Sequence, residues 1–165
     1  MIPIQPTFKQ LNEFQVTGIS ARTTNAQEMA GNGVIPKLWQ DYYQQEVGAK
    51  IPHFLPNSPT FGLYTDYESD ASGSYLLLVG LKVAEPTDVA GDLVSKTVPA
   101  SRYAIFTTAK GPAFTNVAQA WVAIWDWFAH HPEIQRTFTG DFELYDERTA
   151  NPLDAEVDIY IAIQE

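Results

Sequence analysis

Asp141, Glu143 and Tyr145 alternate with Phe142 and Leu144 along one short segment. Side chains alternate across a strand, so the three polar residues share one face and the two apolar ones the other. With Phe142 and Leu144 packed on helices, Glu143 and Tyr145 point away from them, into a groove. Tyr64 holds the equivalent place in an earlier segment, Phe61-Gly62-Leu63-Tyr64, and approaches the same groove. A carboxylate ringed by aromatic side chains suits a bulky organic cation. The rings cover its flat body and attract its charge through their quadrupoles, while the carboxylate supplies the counter-charge. The alternative for Glu143 is an ordinary carboxylate on a solvated sheet face.

The two segments belong to a repeat. Phe142 follows Phe61 by 81 residues, Trp121 follows Trp39 by 82, and Thr107-Thr108 follow Thr23-Thr24 by 84. The spacing is about half of the 165 residues, so the repeat accounts for the whole chain. The expected organisation is a single domain over 1–165, with pseudo-repeats of about 7–84 and 92–165. Two small copies pack about a pseudo-twofold axis, and ligands favour the crevice between such units. The copies differ at one informative place: Gly62 in the first stands where the second has Glu143.

The elements that would position these residues read as follows. Phe14, Val16, Ile19 and Ala21 mark a first strand, with Gly18 as a bulge. Thr23 to Gly33 reads as a loop. Pro36 opens a helix with Leu38, Trp39, Tyr42, Tyr43 and Val47 on one face, and Gly48 as its stop. Ile51 to Pro59 is a proline-rich loop. Phe61 to Glu68 and Ser74 to Val83 form a hairpin. Leu93 to Thr108 is a strand pair or one bent strand around Pro99-Ala100-Ser101. Phe114 to Ala129 is a second helix, with Val117, Trp121, Ile124, Trp125 and Phe128 as its core stripe and Trp127 off it. Phe138 to Tyr145 and Ala155 to Ile163 form a second hairpin. In its last strand Val157, Ile159, Ile161 and Ile163 face one way, the side that meets the helices. The fold class expected is α+β: two strand–helix–strand–strand modules, an antiparallel sheet with both helices on one face, and a ligand groove on the other.

Other chemistries find little support. Trp39, near the presumed groove, is either packing or a ligand contact; Trp121 and Trp125, four apart, read as core. His53, His130 and His131 lack metal-site spacing, and with no cysteine there is no thiolate site, so neither metal nor cofactor is expected. Lys110-Gly111-Pro112 is too short for a phosphate loop, and no Gly-x-Ser-x-Gly is present. The net charge is −10, and the ten Lys and Arg form no cluster, so a nucleic-acid partner is not expected. No apolar run approaches the roughly 20 residues of a membrane span, and no secretory leader is recognisable. These features point to a cytoplasmic protein.

The sequence resembles the GyrI-like, or AraC-type effector-binding, domains. The resemblance rests on Phe14-x-Val16-x-Gly18-Ile19-x-x-Arg22-Thr23, Ile35-Pro36-x-Leu38-Trp39, Tyr64-x-x-Tyr67, Tyr75-x-x-x-Val79-Gly80 and Val98-Pro99-Ala100-x-x-Tyr103-Ala104. Thr108-x-Lys110-Gly111, Trp121-x-x-Ile124-x-x-Trp127, Asp141-Phe142-Glu143-x-Tyr145 and Val157-Asp158-Ile159-Tyr160-Ile161 complete it over nearly the whole chain. It implies paired modules with a ligand groove between them, and a stand-alone domain that binds an aromatic or cationic small molecule for sensing or sequestration. It also implies a pocket of Glu143, Tyr145, Tyr64, Trp39 and Tyr67, with Glu143 as the acid that meets lipophilic cations. Some stand-alone members hydrolyse cyclopropane-bearing toxins; in such a role Glu143 would orient or activate water and a tyrosine would donate a hydrogen bond to the developing oxyanion. Another member acts on DNA gyrase, so a protein partner is a further alternative. No helix-turn-helix is recognisable, and the last strand reads Ile161-Ala162-Ile163 where the family often has Ile-Pro-Ile.

Overall fold

The computed structural model describes residues 5–85 and 91–165. One sheet runs through it, with strands β1 (Thr7–Leu11), β2 (Phe14–Thr24), β3 (Thr60–Thr65), β4 (Ser74–Val83), β5 (Val94–Val98), β6 (Ser101–Thr107), β7 (Asp141–Tyr145) and β8 (Asp158–Ile163). Their order is β1-β6-β8-β7-β3-β4-β2-β5, and every pairing is antiparallel. Exchanging β1–β4 for β5–β8 turns this order into its own reverse, which is the signature of the sequence repeat. The symmetry axis falls between the central strands β3 and β7. There Thr60 pairs with Tyr145, Gly62 with Glu143 and Tyr64 with Asp141. The register is therefore centred on Gly62 and Glu143, two residues that are themselves repeat mates.

Among the described residues there are four α-helices: α1 (Asn25–Met29), α2 (Ile35–Gln44), α3 (Val47–Lys50) and α4 (Ala113–His130). Leu38 and Tyr42, one turn apart, bury the inner face of α2 against Ile19, Leu77, Val79 and Tyr64. Ala120, Ile124 and Trp127 do the same for α4 against Phe106, Val157, Ile159 and Ile161. Both helices thus pack on one face of the sheet.

The opposite face is also apolar and dry. Val16, Phe61, Leu63, Leu78, Val98, Tyr103, Phe142 and Ala162 form a cluster there with no helix among them. The sheet curls to make it. Phe14 of β2 lies 5.5 Å from the ring of Phe142 of β7, although β4 and β3 stand between those strands in the sheet order. This second core overturns the expectation of a groove on the side away from the helices. That side holds Phe142 and Leu144, which pack on the curled sheet and not on the helices. Antiparallel partners share a face, and Glu143 is paired with Ile159, a residue under α4. Glu143 accordingly lies on the helix side.

The double-sided burial also explains Gly18. The β2–β4 register runs unbroken from Gln15 to Thr24, and Gly18 pairs with Gly80 without a bulge. Phe14 and Val16 face the curled-sheet core, whereas Ile19 and Ala21 face the helices. The buried face changes at Gly18, and the local alternation breaks without any irregular backbone. A Cβ on Gly18 would lie 1.9 Å from the Val79 carbonyl oxygen, so the close approach of the strands requires glycine there.

Other boundaries differ. The polar stretch expected as a loop contains α1, whose first turn is capped by Thr24 Oγ1 accepting from Gln27 N at 3.1 Å. The next helix stops at Gln44, where Glu46 turns into the left-handed region (φ 49°), so Gly48 lies within α3 and is not the stop. Residues Leu93 to Thr108 give two strands that do not pair with each other. β5 pairs with β2, and β6 with β8 and β1. β1, unread in the sequence, is the counterpart of β5, and each half thereby lends its leading strand to the other half's edge. Among the described residues no helix is long and apolar enough to cross a membrane, and no group of acidic or histidine side chains has the arrangement of a metal site.

Candidate functional site

The two modules leave a cavity of about 410 Å³ between α2 and α4, floored by the central strands. That volume suits a drug-sized organic molecule. Its wall is almost entirely aromatic and aliphatic: Trp39, Tyr64, Tyr67, Tyr75, Trp121 and Trp125 contribute rings.

Glu143 is the centre of the floor and is 2% exposed. Its Oε2 accepts from the Tyr64 hydroxyl and from the Trp121 indole nitrogen, each at 2.7 Å. Its Oε1 accepts from the Tyr145 hydroxyl at 2.6 Å. All three donors are neutral. Burial pushes the Glu143 carboxyl above its ordinary 4.5, and the bonds from Tyr145, Tyr64 and Trp121 oppose that rise by favouring the anion. The same burial, with the adjacent carboxylate, holds the Tyr64 and Tyr145 hydroxyls protonated, well above 10.0. They are donors at any physiological pH.

The rings repeat the symmetry of the sheet. Trp121 meets Tyr64 edge-on at 5.1 Å, and its repeat mate Trp39 meets Tyr145 at 4.6 Å. The pairs flank the Gly62–Glu143 axis. Only one carboxylate fits there: a Cβ on Gly62 would already lie 3.2 Å from Glu143 Oε1 and 3.2 Å from the Trp39 ring.

Tyr67 lines the same cavity but serves a different acid. Its hydroxyl donates to Asp141 Oδ2 at 2.5 Å, beside Arg136 Nη2 at 2.7 Å. The second oxygen, Oδ1, accepts from Ala162 N at 2.8 Å. Asp141 and Glu143 thus share a face of β7 and are both buried, yet among the described residues only Asp141 has a cation. The arrangement sets a buried carboxylate, held by neutral donors, at the floor of a cavity walled by apolar surface.

The structure brings Glu143, Tyr64 and Tyr145 into direct contact, sets Trp39 against Tyr145, and leaves Tyr67 one network away. Trp121 exchanges roles with Trp127. The residue read as core is a hydrogen-bond donor in the cavity, and the residue read as off the stripe is 8% exposed and stacked on His131 at 4.0 Å. The signal for Trp121 was its place as the mate of Trp39: what one approaches from the first half, the other must approach from the second.

Fold and cavity together define a small-molecule effector-binding domain of the GyrI-like kind. The chain belongs to the Cass2 family of integron-associated effector binding proteins, whose family model matches residues 7–163. It is 38% identical over 147 residues to YobU of Bacillus subtilis (strain 168), covering 89% of this chain and 90% of that protein. The crystal structure of the integron cassette protein VCH_CASS2 from the mobile metagenome of Vibrio cholerae is similar at 28% identity. It has a TM-score of 0.74 and covers 99% of this chain and 100% of that one. SAV2435, solved with tetraphenylphosphonium, shares the fold at 17% identity with a TM-score of 0.76, covering 97% of this chain and 94% of that one.

Proposed function

We propose that this protein binds lipophilic organic cations, for sensing or sequestration, with Glu143 as the counter-charge. Tyr64, Tyr145, Trp39, Trp121 and Tyr67 supply the aromatic wall. One observation carries the reading: a carboxylate buried in an aromatic cavity holds three neutral donors and, among the described residues, no cation. Ionised carboxylates buried in this way are costly unless paired. A ligand cation would supply the missing partner, and the rings would contribute about 1–2 kcal/mol each once desolvated. The tetraphenylphosphonium held by SAV2435, on the same fold, is a ligand of this chemical class. Hydrolysis has less support, because the tyrosine hydroxyls that would stabilise an oxyanion are engaged with Glu143. With a net charge of −10, duplex DNA is not part of the proposed partner set.

Titration with tetraphenylphosphonium, followed by tryptophan fluorescence, tests the proposal. Binding in the micromolar range with quenching is expected. Glu143→Gln should weaken it roughly a hundredfold, since 1.4 kcal/mol is tenfold, while neutral triphenylphosphine oxide should bind both forms alike. Equal tetraphenylphosphonium affinity in wild type and Glu143→Gln overturns the assignment.

A further inference from the structure

We propose that the cavity has a second anionic pole, Glu28, and that it selects aromatic ligands carrying two positive charges over singly charged ones. The proposal rests on the cation reading above and goes beyond it in assigning Glu28 and the ligand's charge.

Glu28 comes from α1 and lines the same cavity as Glu143. It is half-buried, whereas Glu143 is 2% exposed, so it stands nearer to solvent. The side chain is fixed in place. Its Oε2 accepts from Thr23 Oγ1 at 2.5 Å and from Val34 N at 2.8 Å, and its Oε1 accepts from Ile35 N at 3.2 Å. It packs so closely on Gly33 that a Cβ there would lie 2.0 Å from Oε1. A carboxylate so placed caps α2 from outside that helix, whose own leading residue, Val34, offers no side-chain cap. None of its partners is a cation. Among the described residues neither Glu28 nor Glu143 takes part in an ion pair. Arg136, the one basic residue among those lining the cavity, is committed to Asp141 at 2.7 Å.

Tyr75 connects the two acids. Its ring lies 5.4 Å from that of Tyr64 and 5.9 Å from that of Tyr67, and its hydroxyl donates to Asn25 beside Glu28 in α1. The negative charges of Glu28 and of Glu143 both act on that hydroxyl. A continuous tyrosine wall therefore runs from the buried acid to the half-buried one. Two like charges along one low-dielectric cavity repel each other, and both lack a counter-ion. A monocation over Glu143 relieves one of them. A flat aromatic dication relieves both, with its rings against Tyr64 and Tyr75.

Ethidium and propidium test this, because they share a phenanthridinium ring and differ by one quaternary ammonium on a side arm. Affinities are measured by dye fluorescence at two ionic strengths. Propidium should bind wild type roughly tenfold more tightly than ethidium, and the ratio should shrink with salt. Glu28→Gln should bring the ratio near one, by weakening propidium more than ethidium. Glu143→Gln should weaken both dyes. Glu133→Gln, which removes an equal charge outside the cavity, should leave the ratio unchanged and so exclude a general effect of net charge. Equal affinity of the dyes for wild type overturns the second pole, and needs no variant. A propidium advantage that survives in folded Glu28→Gln overturns it as well. Ethidium binding that depends on Glu143 without a propidium advantage leaves the cation reading standing and removes only Glu28. Failure of both dyes to bind removes the second pole, while the cation reading is decided separately by tetraphenylphosphonium.

Discussion

Tyr64 and Tyr145, equivalent residues of the two halves, donate to different oxygens of one carboxylate, at 2.7 and 2.6 Å. Each is held by its own module, so the position of the charge depends on both modules at once. Hydrogen bonds to a buried anion contribute about 1.5–3 kcal/mol each. Tyr64→Phe and Tyr145→Phe should each weaken tetraphenylphosphonium binding by about tenfold or less, through a displaced carboxylate, because each keeps the ring and loses only the hydroxyl. The double variant should lose more than the two single effects combined, because removing both leaves Trp121 as the last donor. Calorimetric titration of the four proteins in a double-mutant cycle measures the coupling.

Cation binding should weaken as pH falls, with a midpoint above 4.5, because burial raises the Glu143 carboxyl. The sign for stability is opposite. A raised carboxyl stabilises the fold in its protonated form, so this contribution is present below the unfolded-state value and is lost as pH rises through the folded-state one. The free protein should therefore gain stability from this group on acidification through that window. Glu143→Gln should lack both effects. Affinity and melting temperature followed from pH 7 downward in both proteins check this, and a wild-type affinity flat over the whole range would sink it.

Asp141→Asn should cost more in stability than any substitution around Glu143. Asp141 is fully buried and is the partner of Arg136, whose side chain is 8% exposed. Removing one partner of a buried pair costs about 3–5 kcal/mol. Tyr67 and Ala162 N would lose part of their acceptor as well. Urea unfolding should show the loss as a lower midpoint with an unchanged slope.

Gly62→Ala should impair binding more than folding. The added methyl would meet Glu143 Oε1 and the Trp39 ring, each at 3.2 Å, a contact a few tenths of an ångström too tight. Trp39 sits on a helix and can shift, whereas Glu143 is tied by three bonds. A several-fold loss of cation affinity with a small drop in melting temperature is expected. Unchanged affinity would show that the floor has more room than these distances allow.

Much of this was legible in the sequence because the repeat constrained it. The mates Tyr64 and Tyr145 define a convergence point even before a sheet is drawn, and Glu143 is one of two acids, with Asp141, on that face. The face itself was misread. Phe142 and Leu144 look like residues that pack on helices, and alternation alone gives a strand two faces without saying which one the helices cover. A cross-strand neighbour decides it, and the pairing of Glu143 with Ile159 is not written in local spacing. The same limit hid Trp127, whose burial depends on Phe106 and His131. α1 was illegible for another reason: with five residues and none buried, it has no apolar period to read, and Glu28 holds it by hydrogen bonds to distant backbone.

The pairing of Gly62 with Glu143 on the symmetry axis sets a rule of arithmetic. Two identical halves, associated as separate chains, could place there either no carboxylate or two. Two would collide, and none would leave an apolar slot with no preference for charge. A single negative charge at the centre of a symmetric cage requires halves that differ, and joining them in one chain lets them diverge while staying one to one. The covalent link between the modules thus fixes the parity of the axis position: one carboxylate there per chain.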